Sequence, residues 1–312
     1  MSGVRAPGAL PHLPMGHALL ALAVVAVWGT NFVVIHVALE ALPPLALAAA
    51  RFALAFVPAA LFIRRPAVPW RLLAAYGLLI GCGQFGLLYL ALQGHIAPGL
   101  ASLMVQTQVF FTIALVMLFE RRAGQARETL RPFQLVALAL AVAGLAMIGL
   151  RSDAAGGTPL GIAMVLAAAL AWAGGNLAGR RMGQADMLGV VVWSSAFAVL
   201  PLAALSFVVE GPGLVAARLA QAGPLQAGAV LWQALGNTLF GYAVWGWLLA
   251  RHPAATITPW ALGVPVFGLA SAAVVLGEPM PAWKLAACAL VIGGLALNVL
   301  WPRWAAARRR TS

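Results

Sequence analysis

Charge is scarce in this 312-residue chain, because Asp, Glu, Lys and Arg together make up only 8% of it. Soluble domains carry about 25% charged residues, so the composition excludes a water-soluble globular protein. Acidic residues are the rarest, seven against 19 lysines and arginines. The two cysteines, Cys82 and Cys288, both lie in apolar runs, which excludes a disulfide framework. With 63% hydrophobic residues, the remaining class is a polytopic helical membrane protein.

Long apolar runs take the place of the missing charge. A membrane-crossing helix requires about 20 mostly apolar residues. Short charged or Pro/Gly-rich links divide the chain into runs of that kind, and the first run is too long for a signal peptide. The sequence therefore predicts an all-α membrane protein with ten transmembrane helices, at residues 16–36, 45–63, 72–92, 97–119, 132–150, 159–179, 187–209, 225–250, 254–276 and 285–301.

The basic residues predict the orientation of these spans. Fifteen of the 19 fall in segments that share one side of the membrane, and only Arg151, Arg218 and Lys284 fall in segments on the other side. Cytoplasmic loops are the ones enriched in Lys and Arg. We therefore expect both termini in the cytoplasm, and the net charge of +12 reflects topology rather than nucleic-acid binding.

The sequence indicates two copies of one five-helix unit. Trp28 and Asn31 in the first span correspond to Trp172 and Asn176 in the sixth, and spans four and nine each end in a glutamate. Because five is odd, two such units in tandem sit in opposite orientations. Inverted repeats are typical of secondary transporters, whose sites lie near the membrane midplane. We predict a first repeat at residues 1–151 and a second, inverted repeat at residues 152–312.

Short motifs are spread over both halves of the chain, at residues 28–35, 43–45, 50–52, 84–85, 97–103, 106–112, 264–266 and 268–272. In this order they resemble the EamA family of the drug/metabolite transporter superfamily, and most closely its cysteine and O-acetylserine exporter branch. The aromatic amino acid exporters are a near relative. The resemblance implies a ten-helix inner-membrane exporter of amino acids and related metabolites, with a central cavity between helices one, three, four, six, eight and nine.

Polar and aromatic side chains within the spans are the candidate binding residues. A polar group in lipid is costly, so it faces the bundle interior or a water-filled cavity. Helix–helix hydrogen bonding is the alternative role for each of them. The predicted substrate-binding residues are Trp28, Asn31, Gln84, Tyr89, Gln106, Gln108, Trp172, Asn176, Asn237, Tyr242, Trp245 and Trp260.

Prolines and one arginine complete the candidate set. Pro98, Pro259 and Pro265 are candidate hinges, because proline bends a helix and frees a carbonyl. Ala97-Pro98-Gly99 predicts a late-starting helix whose free N–H groups could meet a carboxylate, with ordinary helix capping as the alternative. Arg51 is the one charge well inside a span, and we expect it to snorkel outward or cap a helix end, with a substrate carboxylate as the alternative partner.

These residues favour a transporter over an enzyme. The sequence shows no catalytic cluster, metal-ligand spacing or cofactor motif, and no acid in the middle of a span for ion coupling. We predict a bacterial inner-membrane exporter that works by alternating access and facilitated transport, with a small-molecule substrate, a lipid environment and no obligate protein partner. The alternatives are an exporter of drugs, sugars or other neutral metabolites, and a membrane enzyme or assembly subunit.

Overall fold

The computed structural model describes residues 13–122, 132–151, 157–183, 185–252 and 254–311. These residues form helices joined by short connections, and no strand occurs among them. A single antiparallel β-bridge joins Ile96 to Gly157, between two of the connections. The predicted all-α class is confirmed for this part of the chain.

The first half of the chain contributes five long helices. Each begins close to where the sequence predicts a span. Their bounds are α1 Met15–Leu39, α2 Pro44–Ala60, α3 Trp70–Leu92, α4 98–122 and α5 Pro132–Gly149.

The second half follows the same pattern. A short helix, Pro212–Gln221, was not predicted and connects the second and third of its long helices. The long helices are α6 Pro159–Arg180, α7 Met187–Val209, α8 224–251, α9 254–276 and α10 Ala282–Thr311.

Local chemistry determines where these helices begin and end. Pro44, Pro98 and Pro159 stand at helix starts, where the missing N–H of proline costs no hydrogen bond. The Asp186 carboxylate caps α7 by accepting from two backbone N–H groups of its first turn. Gly277 ends α9 with a φ of 67°, a left-handed conformation that glycine adopts without strain.

Length and composition qualify seven helical segments among the described residues as candidate membrane spans. They lie in α1, α3, α4, α6, α7, α9 and α10, while α2 and α5 form shorter apolar helices. The remaining helix, α8, carries several amides and hydroxyls along an otherwise apolar sequence. The prediction of ten crossings is thus confirmed in part, and the three further crossings stay a prediction.

Departures from α-helical geometry recur at matching places in the two halves. The third helix of each half contains a nine-residue π-helical segment, Leu78–Gly86 in α3 and Trp232–Phe240 in α8. The fourth helix of each half contains a 3₁₀ segment, Val105–Thr107 in α4 and Thr258–Leu262 in α9. Gly81, Gly83 and Gly86 lie in the π-helical segment of α3, and the candidate hinge Pro259 lies in the 3₁₀ segment of α9.

Small residues let three helices approach closely. A Cβ at Gly29 of α1 would lie 2.5 Å from the Val264 carbonyl oxygen of α9, and a Cβ at Gly268 of α9 would lie 2.3 Å from the Ser102 hydroxyl of α4. Backbones this close gain dispersion contacts that larger side chains would prevent, which is how helices associate in lipid. The α1–α4–α9 contact therefore depends on glycine.

Replacing Gly29 by alanine tests this contact. The new methyl group would overlap backbone of α9, so we expect Gly29→Ala to cost about 1–3 kcal/mol and to lower the melting temperature in detergent. Gly16→Ala in the same helix is the matched control, because a Cβ there meets nothing within 4 Å. Alanine favours a helix over glycine by about 1 kcal/mol, so the control should melt no lower than wild type. Equal melting temperatures for the two variants would refute the glycine contact.

Candidate functional site

Buried polar side chains collect inside the bundle rather than at its surface. A polar group that reaches lipid without a partner costs several kcal/mol, so these groups must find partners within the protein. They come from both halves of the chain. The buried set within the helices includes Asn31, Arg51, Gln84, Ser102, Gln106, Thr107, Ser194, Ser195, Gln233, Asn237 and Thr238.

The most connected group in this set, which we name the arginine cluster, consists of Arg51, Tyr89, Gln233 and Thr238. Arg51 of α2 donates from Nη1 to the Tyr89 hydroxyl at 2.9 Å and from Nη2 to Thr238 Oγ1 at 2.7 Å. The Tyr89 hydroxyl donates in turn to Gln233 Oε1. Thr238 donates to the Gln233 carbonyl at 2.8 Å. The cluster therefore links α2, α3 and the π-helical segment of α8.

The guanidinium of Arg51 is wholly buried, with 0% of the residue exposed. It lies over the rings of Phe85, 4.1 Å from the centroid, and Phe52, at 5.0 Å. Its Nε has no partner, and no carboxylate among the described side chains forms an ion pair with it. The expectation that Arg51 snorkels outward or caps a helix end is wrong, because hydroxyls and aromatic faces inside the bundle take the place of water.

A small cavity opens beside the arginine cluster. Its walls come from α2, α3, α7 and α8, whereas the family resemblance implied helices one, three, four, six, eight and nine. Tyr242 is the predicted binding residue that lines it. The lining residues are Arg51, Phe52, Tyr76, Gly77, Ile80, Gly81, Phe85, Val191, Ser194, Ser195, Ala198, Thr238 and Tyr242.

Three predicted aromatic residues form a second group. Trp28 of α1 lies 5.4 Å from Tyr242 and 5.3 Å from Trp245 of α8, measured between ring centroids. Trp28 Nε1 donates to the backbone carbonyl of Asn237 at 3.0 Å. A Cβ at Gly241 would lie 2.3 Å from Trp28 Nε1, so glycine makes room for the indole. The structure thus brings Trp28, Tyr242 and Trp245 together, with Asn237 taking part through its backbone, and their role in binding stays a prediction.

The amide of Asn176 contacts the fourth helix. Asn176 Nδ2 donates to Gln108 Oε1 at 2.8 Å and to Thr112 Oγ1 at 3.2 Å. All three side chains are half-buried, and Trp172 on the same face of α6 packs against the core. This geometry matches the alternative of helix–helix hydrogen bonding as closely as it matches a binding role.

Two further predicted binding residues each bury an amide oxygen that accepts no hydrogen bond. Asn31 is 3% exposed and Gln84 is 3% exposed, and neither Asn31 Oδ1 nor Gln84 Oε1 has a hydrogen-bond partner. A buried amide oxygen without a partner costs about 1–3 kcal/mol, so each calls for a partner such as water or substrate. Gln106 is also buried, and Trp260 packs against the core.

The predicted hinge prolines all lie at starts of helical segments. Pro98 begins α4, Pro259 lies in the first turn of the 3₁₀ segment of α9, and Pro265 follows that segment within α9. These positions let proline interrupt the helix without removing a bond from a regular interior turn. Whether they act as hinges stays a prediction.

Carboxylates join the two halves at the end of the bundle where α2 and α4 begin. Glu210 accepts from the backbone N–H groups of Leu45 at 2.6 Å and Ala46 at 3.0 Å, and from Ser206 at 2.6 Å. A carboxylate at a helix N-terminus is favoured by the unsatisfied N–H groups and the helix dipole. The end of α7 is thereby tied to the start of α2.

Glu278 makes the equivalent contact to α4. Its Oε1 accepts from Gly99 N at 2.9 Å, and its Oε2 forms an ion pair with Lys284 at 3.0 Å. The carboxylate at the start of this helix belongs to the protein, so the structure shows ordinary helix capping at Gly99, and a substrate carboxylate at this place stays a prediction. At the opposite end of the bundle, His17 Nδ1 and His252 Nε2 lie 2.7 Å apart, which joins α1 to the end of α8.

Several residues of this site were not among the predicted binding residues. Gln233 and Thr238 complete the arginine cluster, and Tyr76, Ser194 and Ser195 line the cavity. A signal existed for the first two, since they flank the predicted Asn237 in a helix rich in polar residues. The serines donate to the Val191 carbonyl of their own helix, and sequence offers no sign that they face a cavity.

Comparison with known proteins agrees with the fold. The chain matches the EamA-like transporter family over residues 15–150 and again over residues 159–300. It is 41% identical over 285 residues to a "Probable amino-acid metabolite efflux pump" of Salmonella typhimurium, covering 90% of this chain and 93% of the relative. A relative of the same name from Escherichia coli is 38% identical over 293 residues, covering 92% and 95%.

A protein of known crystal structure shares the fold, with a TM-score of 0.58 over 95% of this chain and 99% of that chain, at 23% identity. Apolar helices with a polar interior define the class, a multi-pass membrane protein. The chain belongs to the EamA-like transporter family. The family and the names of the relatives point to transport rather than catalysis.

Thr238 offers a direct test of the arginine cluster. Thr238→Val keeps the shape but removes the hydroxyl that accepts from Arg51, so we expect it to destabilise the protein by about 1–3 kcal/mol. Thr238→Ser keeps the hydroxyl and should retain most of the stability. Thermal unfolding in detergent measures both variants. A valine variant as stable as the serine variant would show that the hydrogen bond contributes nothing.

Proposed function

We propose that this protein exports amino acids and related small metabolites across the bacterial inner membrane. The observation that carries the proposal is the 41% identity, over nearly the full length of both chains, to a protein named as a probable amino-acid metabolite efflux pump. The buried amides, hydroxyls and tryptophans suit a small zwitterion, since an amide can accept from an ammonium and donate to a carboxylate.

The transporter is organised as ten spans in two inverted repeats, residues 1–151 and 152–312. Two observations support this architecture. The family matches the chain twice, over residues 15–150 and 159–300. The π and 3₁₀ segments also recur in the third and fourth helices of both halves. Because each repeat has an odd number of helices, the second repeat is inverted relative to the first. The start of α2 and the end of α7 therefore lie on the same side of the membrane.

That side is periplasmic, and both termini are cytoplasmic. The positive-inside rule supports this orientation, because the links on the opposite side hold 15 of the 19 basic residues. Glu210, Glu278 and Lys284 then lie on the periplasmic side. The pair of His17 and His252 lies on the cytoplasmic side.

Transport proceeds by alternating access between these two sides. Glu210 and Glu278 each hold the N-terminus of a first-half helix from the second half, so both contacts must break before the periplasmic end opens. The contact between His17 and His252 closes the cytoplasmic end in the same way. The 3₁₀ segment Thr258–Leu262, which contains Pro259 and is followed by Pro265, supplies a point where α9 bends.

The transport is facilitated rather than ion-coupled. A coupled carrier needs a carboxylate that gains and loses a proton or cation inside the membrane. The carboxylates of Asp186, Glu210 and Glu278 lie at helix ends, and two of them are engaged with helix N-termini across the halves.

Flux into proteoliposomes tests the proposed function. A panel of the twenty standard amino acids and O-acetyl-L-serine is presented to the purified protein, with protein-free liposomes as the control. We expect saturable flux of at least one member down its gradient, unchanged in rate when a proton gradient is imposed. No flux for any member would overturn the amino-acid proposal, and flux that follows the proton gradient would overturn facilitated transport.

Asn31 provides a test of the predicted binding residues. Its unpartnered Oδ1 can accept a hydrogen bond from the substrate, and losing a bond to a charged group costs about 1.5–3 kcal/mol. We therefore expect Asn31→Ala to raise the KM of amino-acid flux about tenfold or more. Asn298→Ala in α10 is the matched control, because Asn298 Oδ1 is also buried without a partner. An equal KM for the two variants would assign Asn31 a packing role.

A further inference from the structure

We propose that Arg51 binds the carboxylate of the transported substrate, and that the cavity beside it is the substrate carboxylate site. The inference rests on the proposed function and deepens it, because it names the substrate class as compounds that carry a free carboxylate. It starts from a buried charge with which no carboxylate among the described side chains forms an ion pair.

Burying a guanidinium without an anion is costly. An ion moved from water into an apolar interior loses its solvation, and a nearby opposite charge is what normally compensates. Arg51 is 0% exposed, and it lies about 10 Å along the helix axis from the start of α2. Its partners are two neutral hydroxyls and two aromatic rings. Hydrogen bonds and cation–π contacts hold the group in place but leave its positive charge unneutralised.

The remaining donor capacity of Arg51 matches a carboxylate. Tyr89 takes one bond from Nη1 and Thr238 takes one from Nη2, while Nε has no partner. A guanidinium carries five N–H donors in one plane and binds a carboxylate through two parallel bonds. The arginine cluster therefore restrains the plane of the fork and leaves donors free for a second acceptor.

The cavity beside Arg51 marks where that acceptor would enter: it holds about 10 Å³, close to the space of one water molecule, so a carboxylate enters when the surrounding helices move apart. Arg51 lines the cavity together with Thr238 and the hydroxyl-bearing residues Tyr76, Ser194 and Tyr242. Other parts of its wall are apolar, such as Ile80 and Val191, which keeps the local dielectric low and strengthens a charge–charge contact. A purely structural link between α2, α3 and α8 would need only neutral groups, so the charge itself points to an anionic ligand.

The test compares each member of the flux panel with its carboxamide, which lacks the negative charge. We expect wild-type protein in proteoliposomes to carry the acids at least tenfold faster than the amides. Arg51→Gln should lower that ratio to about one, mainly by slowing the acids. Arg51→Lys keeps the charge but loses the two-bond geometry, so its ratio should fall between the two. The ratio does not depend on how much protein folds.

Lys284→Gln is the matched control, because Lys284 is also a buried cation, at 2% exposed, but it pairs with Glu278. This variant should lose stability and keep the wild-type ratio of acid to amide flux. The inference is overturned if wild-type protein carries the amides as fast as the acids. It is also overturned if Arg51→Gln, or Arg51→Lys where the glutamine variant does not fold, keeps the full ratio. Absence of flux for every acid is a different result, since it overturns the proposed function and this inference with it.

Discussion

Hydrocarbon offers no partner to a polar group, and the interior of this protein is arranged around that constraint. Each amide, hydroxyl or charge inside a span has to meet another one or remain unsatisfied at a cost of a few kcal/mol. With charged residues at 8% of the chain, most of these partners are neutral. The arginine cluster is the clearest case, because one guanidinium from α2 draws partners from α3 and α8.

Contacts between polar groups connect the two halves of the chain at three places along the bundle. The arginine cluster joins them in the interior, Glu210 and Glu278 join them at the end where α2 and α4 begin, and His17 meets His252 at the opposite end. Apolar packing between these places is close, but apolar contacts are not directional and do not determine how the two halves are oriented. Polar contacts therefore determine which surfaces of the halves face each other, and the cavity lies where the polar side chains of both halves converge.

Features that depend on neighbours in the chain could be predicted from the sequence. Clustered glycines around Gln84 lie in the π-helical segment of α3, and Thr258-Pro259 begins the 3₁₀ segment of α9, so both departures from α-helical geometry have a local signal in the sequence. Contacts between distant residues could not be predicted, because helical periodicity specifies a face and not its neighbour. Arg51 donates to side chains 38 and 187 positions away in the chain. The sequence therefore showed that an arginine lies inside a span, where burial is costly, but it did not show which residues accept its hydrogen bonds.

The paired π-helical segments have a consequence for the ancestry of the chain. Each hydrogen-bonded ring of a π-helix holds one residue more than the ring of an α-helix, so such a segment is what a single inserted residue leaves behind in a helix that cannot change its ends. Two independent insertions at matching positions, Leu78–Gly86 and Trp232–Phe240, require a coincidence. A single insertion shared by both halves would account for the two segments at once, as the proposed repeat requires. On that account the distortion would be a property of the five-helix unit rather than of either half.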